Sequence, residues 1–118
     1  KNYPFRKQPS TLDIGLADNL EDAEYLKTLE LALSKISHEF EPDIIFYLGG
    51  IDVLKGDRFG RLALSLQGLR KRDETVIKFA TEQHIPLVLL LSGGYAPTVQ
   101  ETVLAHAQQF EVAVQSLK

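Results

Sequence analysis

Two residues stand where a side chain could do chemistry. Asp52 follows the apolar run 44–48 and the pair Gly49-Gly50, and Tyr95 follows the apolar run 87–91 and Ser92-Gly93-Gly94. A carboxylate at the end of a buried strand can bind a metal ion. It can equally make an Asx turn or cap a helix, which Asp often does. Paired glycines let a backbone approach a ligand closely, so a phenol held beside them can donate a hydrogen bond to a polarised carbonyl. That ring can equally be a plug packed over a glycine turn. On the pattern alone the plainer reading of each residue is preferred. Neither glycine pair has the spacing of a Walker or dinucleotide loop, and no GK[ST] is present, which argues against a phosphate cradle. His38, His84 and His106 are scattered, with no HxxxH, HxH or DxH arrangement, and read as structural or surface residues.

The segments that must position Asp52 and Tyr95 alternate between strand and helix. Residues 11–16 (TLDIGL) show weak alternation and read as a short strand. Residues 22–40 place Leu26, Leu29, Leu33, Ile36 and Phe40 at spacings of three and four, one stripe along a helix. Asp18 or Asn19 can cap its start, with Glu21, Asp22 and Glu24 in the first turn. Glu41-Pro42-Asp43 break it. The continuous run 44–48 reads as a strand buried on both faces, and a loop rich in glycine and charge follows over 49–61. Ser65 caps the next helix, which turns Leu69, Val76, Ile77 and Ala80 inward, although Gly68 weakens its start. His84-Ile85-Pro86 end it. Residues 87–91 form the next buried strand. Pro97 suits the first turn of the last helix, whose inward stripe reads Val99, Val103, Ala107, Phe110, Val114 and Leu117.

The order β-α-β-α-β-α predicts an α/β fold with a parallel sheet and right-handed crossovers. Parallel strands present their C-terminal ends along one edge, and ligands bind outside that edge. Loops 49–61 and 92–96, carrying Asp52 and Tyr95, therefore share it.

Composition narrows the chemistry. The net charge of −3 offers no basic surface for nucleic acid. The absence of cysteine excludes disulfides and thiolate metal sites, so a metal must be held by His, Asp or Glu, and it fits a cytoplasmic protein. No apolar run is long enough to span a bilayer. The chain contains no methionine and opens abruptly on Lys1-Asn2-Tyr3-Pro4-Phe5, so residues 1–118 are expected to be one piece of a longer protein.

Several stretches taken together carry a resemblance. Gly49-Gly50-Ile51-Asp52 leads into Gly56-Asp57-Arg58-Phe59-Gly60, then Leu62-Ala63-Leu64-Ser65-Leu66-Gln67-Gly68-Leu69 and Lys71-Arg72-Asp73. Ile85-Pro86 enters a strand that ends in Ser92-Gly93-Gly94-Tyr95. In order, spacing and strand context these resemble the histone deacetylases and acetoin-utilisation proteins, and Ser92 in place of a first glycine is similar to the class IV branch. Tyr3-Pro4 and the segment from Leu16 to Leu26 also look like that family. The resemblance covers nearly the whole chain but only the C-terminal portion of the family's domain, a three-layer arginase/deacetylase-type fold.

The resemblance implies hydrolysis of acetyl-lysine or a related N-acyl amine, with Zn2+ held by two aspartates and a histidine and water in the open position. It makes Asp52 the second aspartate ligand and Tyr95 the hydroxyl donor that stabilises the oxyanion. It places Phe59 in the wall of a narrow acyl-lysine channel, where the family usually has Leu or Met, so Phe59 would narrow it. Gly93 and Gly94 would keep the channel floor open, and Tyr3 would match an aromatic at its rim. The family's paired histidines and its D-x-H motif are absent from the 118 residues. The expected partner is the missing N-terminal part of the same domain. Without it the chain is expected to be inactive and to self-associate through an uncovered sheet edge and apolar surface. Two rival readings are a non-catalytic binding or regulatory module on the same half-fold and a Rossmann-like nucleotide-binding domain. HH and D-x-H motifs upstream would favour the enzyme, and stabilisation by nucleotide but not zinc would favour the last.

Overall fold

The two continuous apolar runs become strands β1 (Ile45–Leu48) and β2 (Leu87–Leu90). The computed structural model describes residues 4–118, and the strands are flanked by helices α1 (Asp22–Glu39), α2 (Leu66–Glu82) and α3 (Val99–Ser116) in the order α1-β1-α2-β2-α3. β1 and β2 pair in parallel, with Ile45 opposite Leu87 and Leu48 opposite Leu90. Parallel pairing follows from the helix between them, since α2 carries the chain back to the starting end. The α/β class and the parallel sheet are as the sequence predicts.

Residues 11–16, however, form no strand. The Ser10 N–H and hydroxyl donate to the Asp13 carboxylate at 2.8 and 2.5 Å, local bonds that bend the chain and compete with extension. Among the described residues β1 and β2 pair only with each other, so this segment has no ladder to join.

β1 is also not buried on both faces. Phe46 and Leu48 are 60% and 62% exposed while Ile45 and Tyr47 between them are half-buried. Residues opposite one another in the sheet share a face, so Leu90 extends the uncovered side. The covered side meets α2, where the Tyr47 hydroxyl donates to Asp73 at 2.6 Å. An apolar run shows that a strand tolerates burial on both faces, but not what covers it. The described residues supply one helical layer and the sheet.

That helical layer has α2 in contact with both α1 and α3. The α1 residues Leu26, Leu29, Leu33 and Ile36 are half-buried, as the stripe predicts, and Phe40 stands exposed at the C-cap. The start of α1 differs from expectation. Its N-cap is Glu21, with no side-chain cap bond, while Asn19 takes a left-handed turn and Asp18 pairs with Arg61 at 3.4 Å. Asp22 serves another purpose: it accepts from the Ser65 N–H and hydroxyl at 2.8 and 2.5 Å. Ser65 in turn caps α2, its oxygen accepting from the Gly68 N–H at 2.9 Å. The N-terminal ends of α1 and α2 are thereby tied together.

α3 begins at Val99, two residues after Pro97, behind a capping box of Thr98 and Glu101. Its expected inward stripe faces outward: Val99, Val103, Ala107, Phe110, Val114 and Leu117 are all exposed, and Ala105, Gln109 and Val112 are buried. The helix is apolar on two sides. The side that packs is the one whose small Ala105 fits against Ile51 and Leu69. Among the described residues no helix is long and apolar enough to cross a membrane. The buried apolar cluster of Ile51, Leu69 and Ala105, with Val53 and Leu54 against it, forms directly after β1 and anchors the loop that carries Asp52.

Candidate functional site

Beyond β1 and β2 the two segments stay paired. The Gly49 N–H donates to the Leu90 carbonyl at 3.0 Å and the Ile51 N–H to the Gly93 carbonyl at 2.8 Å. Ile51 is fully buried, which contributes about 1.5–3 kcal/mol relative to an exposed side chain and pins the backbone at this point. Its neighbour Asp52 is exposed. The Asp52 carboxylate rests on two glycines: a Cβ on Gly50 would stand 2.8 Å from Oδ1, and one on Gly93 would stand 3.2 Å from Oδ2. Among the described residues none donates a hydrogen bond to this carboxylate.

A second carboxylate joins the two loops. Asp57 Oδ1 accepts from the Phe59 and Gly60 N–H groups at 2.9 and 2.7 Å, and Oδ2 accepts from the Tyr95 N–H at 2.6 Å. The Arg58 N–H returns a bond to the Tyr95 carbonyl at 3.0 Å. Partial burial pushes the Asp57 carboxyl up, but the donors from Gly60, Phe59 and Tyr95 outweigh it and hold it below its ordinary value. Gly60 also abuts the Asp52 backbone, since a Cβ there would lie 1.8 Å from the Asp52 carbonyl oxygen. Tyr95 and Phe59 remain exposed, their rings edge to face at 5.2 Å between centroids and 87° between planes.

Beneath this surface lies a buried polar network. Arg72 donates through Nε and Nη2 to Asp73 Oδ1 at 3.0 and 2.8 Å, and through Nη1 to the Gly50 carbonyl at 2.5 Å. The guanidinium also sits 5.6 Å from the centre of the Tyr47 ring. Burial pushes the Tyr47 and Tyr25 phenols above their ordinary values, so both stay neutral, and Tyr47 donates to Asp73. Burial, with Arg72 nearby, pushes the His106 imidazole down. His38, by contrast, is exposed and caps the end of α1 by donating to the Ser34 carbonyl at 2.7 Å.

The histone deacetylase domain profile matches residues 4–110. This chain belongs to the histone deacetylase family. Histone deacetylase 2 of Arabidopsis thaliana is 49% identical over 72 residues, covering 61% of this chain and 19% of that protein. An uncharacterised protein of Picosynechococcus is 36% identical over 106 residues, covering 90% of this chain and 35% of that one. Histone deacetylase 1 of Homo sapiens is 28% identical over 113 residues, 96% of this chain and 20% of its own length. The chain thus spans about a third or less of the curated relatives it matches.

The residues singled out from the sequence of this histone deacetylase family member fall into two groups. Asp52, Gly93, Gly94, Tyr95 and Phe59 are gathered on the two linked loops at one sheet edge. Tyr3 lies outside the described residues. Asp52 suits one metal ligand, being an exposed carboxylate seated on a glycine cradle with its oxygens free of described donors. Among the described residues no group of three or more His, Cys, Asp or Glu is placed to hold a metal ion.

Sequence reasoning missed the clamp role of Asp57 and the network around Arg72, Asp73 and Tyr47. A signal for the pair existed. Leu69, Arg72, Asp73, Val76, Ile77 and Ala80 recur at the spacing of one helix face, so the periodicity already put both charges on the buried side of α2. Asp57 carried no comparable signal, because its third bond crosses to a residue 38 positions away.

Proposed function

We propose that this chain supplies two parts of the active site of a zinc-dependent deacetylase that hydrolyses acetyl-lysine or a related N-acyl amine. Asp52 is one metal ligand, and Tyr95 is the hydroxyl that donates to the developing oxyanion. The observation that carries this reading is the Asp52 carboxylate seated on Gly50 and Gly93, on the loop pair that also presents Tyr95.

Zinc, when bound, supplies an activated water and a polarised acyl carbonyl. The protein's part is to place groups around it. The glycine cradle brings Asp52 close to the backbone of the Tyr95 loop, and Asp57 locks that loop to the Phe59 turn. A phenol presented from a fixed backbone can donate to an oxyanion with little reorganisation. Phe59, edge-on to Tyr95, forms one wall of the substrate channel, and Gly93 and Gly94 leave its floor free of side chains. The general base and the remaining ligands come from the N-terminal part of the same domain. One carboxylate cannot hold a catalytic zinc, so the isolated 118-residue chain is inactive.

The test is made in the full-length protein with an acetyl-lysine peptide. Asp52→Asn should lose zinc and turnover together. Tyr95→Phe should keep zinc while turnover falls about 100- to 1,000-fold. Full zinc content and turnover in Asp52→Asn would refute the assignment.

A further inference from the structure

We infer that Arg72 is a positioning residue for the metal-ligand loop: by holding the Gly50 carbonyl it fixes the peptide plane from which Asp52 projects. The inference rests on the reading of Asp52 as a metal ligand. The peptide between Gly50 and Ile51 is held at both ends, its N–H by the Gly93 carbonyl at 2.8 Å and its carbonyl by Arg72 Nη1 at 2.5 Å. Without a Cβ on Gly50, that peptide can rotate freely unless both ends are held. A rotation would swing Asp52 off its cradle.

Arg72 is suited to this by its own restraint. It is 4% exposed and Asp73 is fully buried, so neither exchanges partners with solvent. Two guanidinium nitrogens engage Asp73 Oδ1, and the Tyr47 hydroxyl binds the same oxygen, which leaves Nη1 aimed at Gly50. A buried ion pair is weak evidence for stability, because desolvation offsets most of the attraction. An apolar residue at 72 could fill the space, but it would leave the Gly50 carbonyl buried without its donor. The fork geometry is therefore put to use on the backbone two residues before Asp52. Groups that orient metal ligands typically change metal affinity by 10- to 100-fold when altered.

The experiment uses the full-length protein and three variants: Arg72→Lys, Tyr47→Phe and Asp52→Asn. Zinc affinity is measured by competition with a chelator on folded protein, and kcat and KM are measured at limiting and at saturating zinc. Arg72→Lys should weaken zinc binding about 10- to 100-fold, with turnover largely restored by saturating zinc. Tyr47→Phe removes one bond to Asp73 but leaves Nη1 on Gly50, so its loss should be several-fold only. A purely structural role would lower the unfolding midpoint without changing the zinc affinity of the folded protein. Wild-type affinity in both folded variants overturns the inference, as does failure of both to fold, which would assign the network to folding. If only Arg72→Lys fails to fold, Tyr47→Phe decides: several-fold weaker zinc binding supports the inference and unchanged binding overturns it. Asp52→Asn separates the two levels. If it keeps zinc, the ligand assignment is at fault. If it loses zinc while Arg72→Lys binds normally, the positioning role is at fault.

Discussion

Asp57→Asn isolates the bond that holds the Tyr95 loop in place. The amide oxygen of Asn can keep the position of Oδ1 and still accept from the Phe59 and Gly60 N–H groups, now at 2.9 and 2.7 Å. Its NH2 then faces the Tyr95 N–H, donor against donor, where a 2.6 Å bond stood. A hydrogen bond to a charged acceptor is worth about 1.5–3 kcal/mol, and the two retained bonds weaken with the loss of charge. The carboxylate is only partly buried, so water moderates the loss, and a net destabilisation of about 1–2 kcal/mol is expected. Urea unfolding of the full-length protein at pH 7 measures it. The pH dependence has a definite sign. The folded-state pKa of Asp57 is depressed. Its contribution is therefore fully present above the unfolded value of about 3.9 and is lost as pH falls through the folded value. Parent and variant should converge in stability in that acid range. Turnover should fall as well, because the Tyr95 backbone is released from the Phe59 turn. An unchanged urea midpoint at pH 7, or a stability difference that persists undiminished in acid, would refute the clamp.

Two further outcomes follow from the same geometry. Gly94 has φ of +149°, and a Cβ there would lie 2.1 Å from Cγ1 of the buried Ile51. Gly94→Ala should therefore cost about 2–5 kcal/mol through backbone strain and overpacking, and an unfolding free energy within experimental error of the parent's would contradict this. The outward stripe of α3 is expected to drive self-association of the 118-residue chain, together with the uncovered sheet face at Phe46 and Leu48. Val103→Lys with Phe110→Lys should lower the sedimentation coefficient at a fixed concentration, and an unchanged value would exclude α3 as the contact.

Much of the frame was legible in the residues. Both apolar runs ending in glycine pairs became strands, their order with α2 between them required parallel pairing, and Ser65 capped α2 as its position suggested. Loops 49–61 and 92–96 met at one edge because parallel strands end together. The errors have separate causes. Residues 11–16 have a strand-like pattern but no partner ladder, and Ser10 with Asp13 bends them instead. Pro97 suits a first helical turn, yet Thr98 and Glu101, three residues apart in a capping box, satisfy more backbone donors.

The sequence by itself determined the three helices, the two paired strands and which loops meet, because those preferences act over a few residues and through connection length. Only the tertiary structure decided which face of α3 is covered, that Asp57 clamps Tyr95, and that Arg72 reaches Gly50. Each of these depends on a partner brought in from far along the chain. The periodicity of a helix records that a stripe exists, but burial gives it a direction, and a carboxylate or guanidinium acquires a role only when packing sets its donors and acceptors beside it.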